Sequence, residues 1–568
     1  MRQQQRIEML LAPVIVILFV VLSLPFLHAP ASQDDFWNFG SAAQMPQTRI
    51  PFFYRGGVPH LEHPPLYLYL LSFFLTHLGA TLVSARLLGI SIASLTLLAS
   101  FFFYRRFSQK EPNGLFLTFF PVVLLATSPM LIQGAQLIDM DGTLLLLSFS
   151  LLSFAWVFWG EVVSRKRDLI LGALFALALW SKLVTPLFLP LGILMTAIFL
   201  KRTKDLWFFL RPFCIGLLLF VTTWFIYCLK ERALSSFWDL LGYHLGAAEV
   251  LFVQKIHTTF SLSKMAGAFT RFGAWLFWPF LILLGMGWFS LQKGRQGNAF
   301  AVKSLLNSLL LGSLIYLLTK GLSFSFPKYH VPFLPVFCVV AASPMRSVTV
   351  RPKTLLIFLI CLIGLAFFQA FVVGDFLYLF LFQTKEALVM GAGKEVALRI
   401  FGKGLLSLFS FFLAFGIVYL SQRKEGVKAA FLLALAAMAL ASNLSEDFLQ
   451  GRAPYLTGNL YGDSSRREVL ALLKKTLKSG DILIAHDLIH FELGSFSSPM
   501  IPSHLWEDPE AILGLLEKTG ARALVYSLST NTVHQYRNTF LKKEFQEKLE
   551  EHFDRNDLGP YTVWIRRR

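Results

Sequence analysis

The chain has 568 residues, of which 55% are hydrophobic and only 15% charged, and its mean hydropathy is +0.59. A soluble domain carries about a quarter charged residues, so the composition excludes an ordinary soluble protein and points to an integral membrane protein. The formal net charge of +18 does not signal nucleic acid in such a chain, because Lys and Arg collect in cytoplasmic loops; no nucleic-acid partner is expected.

The four cysteines, Cys214, Cys228, Cys338 and Cys361, all lie in apolar runs and form no C-x-x-C pair, which argues against a disulfide framework or a zinc cluster. A spanning helix needs about 20 apolar residues. The basic N-terminus precedes the first run, residues 9–27, which is too long and too rich in Leu and Val for a signal peptide and is read as a retained helix with its N-terminus inside. Residues 33–79 then stay outside, with residues 65–78 as an interfacial helix too short to span. Spans follow over residues 82–103 and 115–131, an outer loop over 132–141, a span over 143–159, and a short helix pair, 169–180 and 183–200, that turns at Ser181 and Lys182. Residues 206–229 lead to a long outer loop, 230–271, and then come 272–291, 305–318, an outer loop 319–330, and spans 331–342, 355–382, 405–420 and 429–440. That makes about 13 spans by the length criterion. Placing the basic clusters, such as Arg105-Arg106 and Arg165-Lys166-Arg167, in the cytoplasm closes this topology.

Two domains are expected: a transmembrane part, residues 1–442, and a soluble part, residues 443–568, where charges become frequent. In the latter, residues 481–485, 523–527 and 561–565 read as strands and 466–477, 509–518 and 533–551 as helices, which predicts a small α/β domain. The fold class is therefore an α-helical polytopic membrane protein with a C-terminal α/β domain outside the membrane.

The outer loops collect ionisable residues at helix ends. Asp34 and Asp35 open the first, QDDFWNFGSAAQMPQTRIPFFYRGGVPHLEHPP, and Glu62 and His63 close it. Asp139 and Asp141 stand in QLIDMDGTLLL, Lys182 at the turn of the short pair, His244 in the long loop, and Lys328, Tyr329 and His330 in FPKYHVPFLP. Each carboxylate taken alone also reads as a helix cap. Ionisable groups at membrane depth are costly and mark function, and so many on one face argue for a shared site.

The order of these motifs resembles the GT-C superfamily of polyprenyl-phosphate-sugar glycosyltransferases, and within it the branch of lipid A aminoarabinose transferases and protein O-mannosyltransferases. The likeness rests on the Asp34-Asp35 pair with Met45 after it, on Glu62-His63-Pro64-Pro65-Leu66-Tyr67 where the branch has Glu-Lys-Pro-Pro-Leu-Tyr, on Ser84-Ala85-Arg86-Leu87, on the Ile138-Asp139-Met140 step, on Lys182, and on the run from Lys328-Tyr329 to Pro332. It covers residues 1–345 by motif and the remainder by architecture.

The resemblance implies a polyprenyl-phosphate-linked sugar as donor, a lipid, glycan or protein acceptor, and catalysis at the outer face of a bacterial inner membrane with inversion at the anomeric carbon. Its general base is Asp34, with Asp35 as runner-up. Lys328 and Lys182 are implied as cations for the departing phosphate, with Arg86 a third if it stands near the outer end of its helix. His63 replaces an expected lysine, and Tyr329 is implied in substrate binding. Asp139 would orient substrate or Lys182, with Asp141 the alternative. Glu62 and His244 are implied as a divalent-metal pair (zinc, magnesium or manganese), although His244 also reads as an ordinary interfacial residue. The competing function class is a polytopic lipid or sugar transporter or flippase, whose ionisable residues would lie near the bilayer midplane within paired repeats.

Overall fold

In the computed structural model the apolar runs are helices. The structure describes residues 2–28, 33–52, 61, 63–109, 111, 114–231, 233–234, 237–238, 269–270, 272–293, 299–318, 327–348, 352–374, 393–421, 426–446, 464–478, 480–485, 489, 493, 508–527, 543–559 and 561–567. The chain clusters into two units: residues 1–28 with 37–453, and residues 29–36 with 454–568.

The first unit opens with α1 (Arg2–Ser23) and α2 (Gln33–Thr48), whose first residues cluster with the second unit. It continues with α3 (Leu66–Leu78), α4 (Leu82–Ser108), α5 (Gly114–Ala126), α6 (Pro129–Gln136), α7 (Leu144–Trp159), α8 (Arg165–Ser181), α9 (Val184–Phe199) and α10 (Leu206–Lys230). After these come α11 (Trp278–Lys293), α12 (Ala299–Leu318), α13 (Leu334–Ala342), α14 (Pro352–Phe368), α15 (Gly393–Ser421) and α16 (Val427–Leu444). Local chemistry sets the ends. The Thr81 hydroxyl accepts from the Ser84 amide at 3.1 Å and starts α4, and the Ser164 hydroxyl accepts from the Lys166 amide at 3.2 Å and starts α8.

Among the described residues, six helices are long and apolar enough to cross a membrane, or seven if one bent pair is a single span; four shorter apolar helices, including Leu66–Leu78, fall below that length. The polytopic helical class is as expected, while the count of about 13 is not reproduced by this measure. The expected span 115–131 is in fact α5 and α6, bent by 50°. Pro129 cannot continue the helix before it but suits the first position of a new one, so helix extends to Gln136 where a loop was expected from residue 132. The expected span 331–342 likewise begins as a 3-10 helix, Lys328–Phe333, and leaves only nine residues to α13. Pro332 and Pro335, each lacking an amide hydrogen, account for that.

Helices α8 and α10 meet through glycine. A Cβ on Gly216 would stand 2.4 Å from the Gly172 carbonyl oxygen, so their backbones touch, as small residues permit in membrane interfaces. The N-terminal end of α8 holds a charged cluster: Arg167 pairs with Asp168 at 2.9 Å, and Arg202 with Asp205 at 2.9 Å and with Glu161 at 3.7 Å. Lys182 caps the opposite end. Seventeen residues separate these ends, about 25 Å at 1.5 Å per residue, so the basic cluster and Lys182 stand at opposite ends of one helix.

The second unit is a mixed sheet in the order β1-β2-β4-β3, with β1 (Leu483–Ile484) parallel to β2 (Ala523–Ser527) and β4 (Tyr561–Arg566) antiparallel to both β2 and β3 (Phe553–Leu558). Alternation along β2 feeds two cores. Leu524 and Tyr526 pack with Ile512 and Leu516 of α18 (Pro509–Thr519) and with Phe545 and Leu549 of α19 (Lys543–His552), whereas Ala523 and Val525 pack with Val469 and Leu473 of α17 (Ser464–Thr476). β3 was not expected. Its sequence, FDRNDL, has apolar residues only at its ends, because an edge strand pairs on one side and leaves its polar groups in water. Helix 533–551 is described from Lys543 onward.

Candidate active site

The loop between α6 and α7, residues 137–143, is buried throughout. Three interactions fix its path. The Asn38 amide of α2 donates to the Ile138 carbonyl oxygen at 2.7 Å. The Thr143 hydroxyl donates to the Asp139 carbonyl oxygen at 2.7 Å. Gly142 lies so close to α6 that a Cβ there would stand 1.9 Å from the Gly134 carbonyl oxygen. Backbone cannot yield as a side-chain tip can, so Gly142→Ala is expected to cost about 1–3 kcal/mol, read as a lowered thermal midpoint of the purified protein in detergent. An unchanged midpoint would contradict this packing.

Held in this way, the loop presents two carboxylates to two lysines. Lys328, the first residue of the 3-10 helix, donates to Asp139 Oδ2 at 2.8 Å. Lys182, at the end of α8, donates to both oxygens of Asp141, at 2.9 and 2.7 Å. All four side chains are buried. The Tyr329 ring lies close to both ammoniums, its centroid 4.3 Å from Lys182 Nζ and 5.3 Å from Lys328 Nζ, and it stacks on Tyr316 at 5.1 Å. Buried pairs of this kind contribute little net stability against apolar residues of the same size, yet breaking one is costly. Their presence is therefore better explained by function than by folding.

The two carboxylates differ. Burial alone would raise Asp139, but the Lys328 and Lys182 ammoniums outweigh it and, with a smaller part from His63, hold it below the usual carboxylate range. Burial pushes Asp141 up to about 6 against the pull of Lys182, and the negative charge of Asp139 adds to the rise. The signs follow by linkage. The stabilising contribution of Asp139 is present above the ordinary carboxylate range and lost as pH falls through it and below. That of Asp141 is present at low pH and lost as pH rises through about 6. His330 supplies no further cation: burial depresses it to about 3, and its ring packs 4.4 Å from that of Phe272.

Of the residues expected at the site, Asp139, Asp141, Lys182, Lys328, Tyr329 and His63 are brought together. The hydrogen-bonded partner of Lys182 is Asp141, where Asp139 was the first expectation; the loop turns the two carboxylates toward different lysines. Arg86 is fully buried at α4, and its guanidinium donates to the carbonyl oxygens of Leu27 at 2.7 Å, Phe26 at 3.4 Å and Gln136 at 3.3 Å. Those contacts tie the end of the first helix to the end of α6, so Arg86 braces the loop that carries Asp139. Asp34 and Asp35 stand at the start of α2 in the segment that clusters with the second unit; Asp35 is buried, and the Asp34 side chain lies outside the described residues, as do Glu62 and His244. Among the described residues no group of three His, Cys, Asp or Glu is placed to hold a metal ion. Asn38 and Thr143 were missed. Asn38 had a readable signal, since it lies one helical turn beyond Asp34.

Two crystal structures of ArnT from Cupriavidus metallidurans are similar to this chain. The one bound to undecaprenyl phosphate aligns with a TM-score of 0.56 at 13% identity over 99% of this chain and 98% of that one. The apo state aligns with a TM-score of 0.53 at 14% identity over the same shares. The fold is that of ArnT. No protein-family model matches the sequence, and no curated protein does.

Proposed function

We propose that the chain is a GT-C-type membrane glycosyltransferase that moves a sugar from a polyprenyl phosphate to a hydroxyl or phosphate acceptor at the outer face of a bacterial inner membrane. The observation that carries this is the paired arrangement of Asp139 with Lys328 and Asp141 with Lys182 around Tyr329, in a fold shared with a protein crystallised with undecaprenyl phosphate. An apolar cavity of 440 Å³ bordered by Trp278, Leu281, Gln369 and Ser407 falls within the size range of ligand pockets and has room for a stretch of isoprenoid.

In this reading the acceptor oxygen attacks the anomeric carbon while Asp34, with Asp35 as the alternative, takes its proton. The bond from that carbon to the phosphate oxygen breaks on the opposite side, and its electron pair leaves with the phosphate. A phosphate leaves without being protonated, so one base suffices, unlike the two carboxyl groups of a glycosidase. Charge grows on the phosphate, and Lys328 and Lys182 meet it; ammoniums already aimed by carboxylates need no rearrangement as the bond breaks. These lysines place positive charge where the departing phosphate needs it.

The test is transfer. Purified protein in lipid, given undecaprenyl-phosphate-linked sugars and envelope acceptors, should yield glycosylated product of inverted anomeric configuration by NMR. Movement of the donor across the bilayer with no transfer would favour the flippase reading instead. Since Asp141 must be ionised to aim Lys182, transfer should fall along an acid limb near pH 6, and Asp141→Asn should flatten that limb while lowering the plateau. A limb unchanged by this substitution would remove Asp141 as its source.

A further inference from the structure

A second cavity, of 770 Å³, opens where the ends of α2, α8 and α10 meet the length of α3. Its wall carries two cations, Arg49 and Lys230, and also His77 and the acid Glu231. Arg49 ends α2 with φ +65, a left-handed conformation that favours glycine, and two contacts hold that turn. The Arg49 amide donates to the Met45 carbonyl oxygen at 2.8 Å, and the Tyr69 hydroxyl donates to the Arg49 carbonyl oxygen at 2.9 Å. Tyr69 and Tyr227 hydroxyls meet at 3.1 Å, and Trp180 packs edge-on to Tyr227 at 6.0 Å.

Trp and Tyr at the ends of apolar helices mark the headgroup level of a bilayer, and α3, with 13 residues, is too short to span one. Beside the cavity the outer faces of α3 and α10 are exposed and apolar, at Phe73, Phe225, Ile226 and Leu229. A basic, aromatic-rimmed pocket beside lipid-facing helix surfaces is complementary to an anionic amphiphile. We propose that this cavity holds the phosphate-bearing headgroup of an anionic phospholipid between Arg49 and Lys230, with its acyl chains along α3 and α10. Trp180 lines the cavity two residues before Lys182, so an occupied site would steady the turn that carries one of the two paired lysines.

The experiment uses the full chain in nanodiscs of phosphatidylcholine with or without phosphatidylglycerol and reads retained lipid by native mass spectrometry. This readout needs no transferase activity, so it stands or falls apart from the function proposed above. Phosphatidylglycerol should be retained in preference to phosphatidylcholine. The double substitution Arg49→Gln with Lys230→Gln should weaken that retention by about tenfold or more, and Arg49→Lys with Lys230→Arg should keep it. Equal retention of the two lipids by the natural chain, or phosphatidylglycerol retained by the glutamine double variant as by the natural chain, overturns the proposal. Should the double variant fail to fold, Glu231→Gln decides: removing the acid should tighten phosphatidylglycerol retention, and no change there overturns the site.

Discussion

Asp34→Asn is expected to lower transfer by about 10²–10⁴, the usual contribution of a positioned general base, with the KM for donor little changed. Asparagine keeps the shape of the side chain and loses the basic oxygen, so the deficit should fall on kcat and should not be rescued by raising pH. Asp35→Asn is expected to do less, because a fully buried carboxylate is poorly reached by an acceptor hydroxyl from water. The measurement is steady-state transfer by protein of wild-type thermal midpoint. Undiminished transfer by Asp34→Asn, with Asp35→Asn inactive, would exchange the two roles; undiminished transfer by both would remove the base from this loop.

The second large effect concerns Lys328. Lys328→Ala should reduce transfer by about 10²–10³, the typical loss when one preorganised charge at a developing anion is removed. It should also destabilise the fold by about 3–5 kcal/mol, because Asp139 is left buried without its ion-pair partner. These two losses can be separated. Adding Asp139→Asn removes the stranded charge, so the double variant should regain most of the stability and little of the activity. If it regained both, the pair would be a structural clip only, and the phosphate would have to be met elsewhere. Lys182→Ala, alone and combined with Lys328→Ala, tests whether the lysines act together: a combined loss smaller than the product of the separate losses would mean that they serve one anion.

Much of this site was legible in the chain. Composition alone gave the membrane class, and the charges in QLIDMDG and FPKYH stood out because such residues are expensive near a bilayer. The pairing was not legible. From sequence, either carboxylate of the Asp139-Met140-Asp141 step could face Lys182, and the answer came from a loop held by Asn38, Thr143 and the close approach of Gly142 to α6. Arg86 shows the same limit. Near a helix start it reads as a further cation for the phosphate, and its contacts with the carbonyls of Phe26, Leu27 and Gln136 are ones that no local pattern announces. The polar edge strand β3 escaped notice because its register is set by its partner β4 and not by its own alternation.

Hydropathy and charge order along the chain thus determined that this protein is a bundle of membrane helices with its acidic and basic motifs gathered in a few loops, since burying apolar surface and keeping charge at helix ends are requirements each segment meets by itself. Which acid meets which lysine, where helices break at Pro129 and Pro332, and which carbonyls Arg86 joins were decided only by tertiary structure, because those outcomes depend on distances between residues far apart in the chain: Lys328 lies 189 positions beyond the carboxylate that it holds at 2.8 Å.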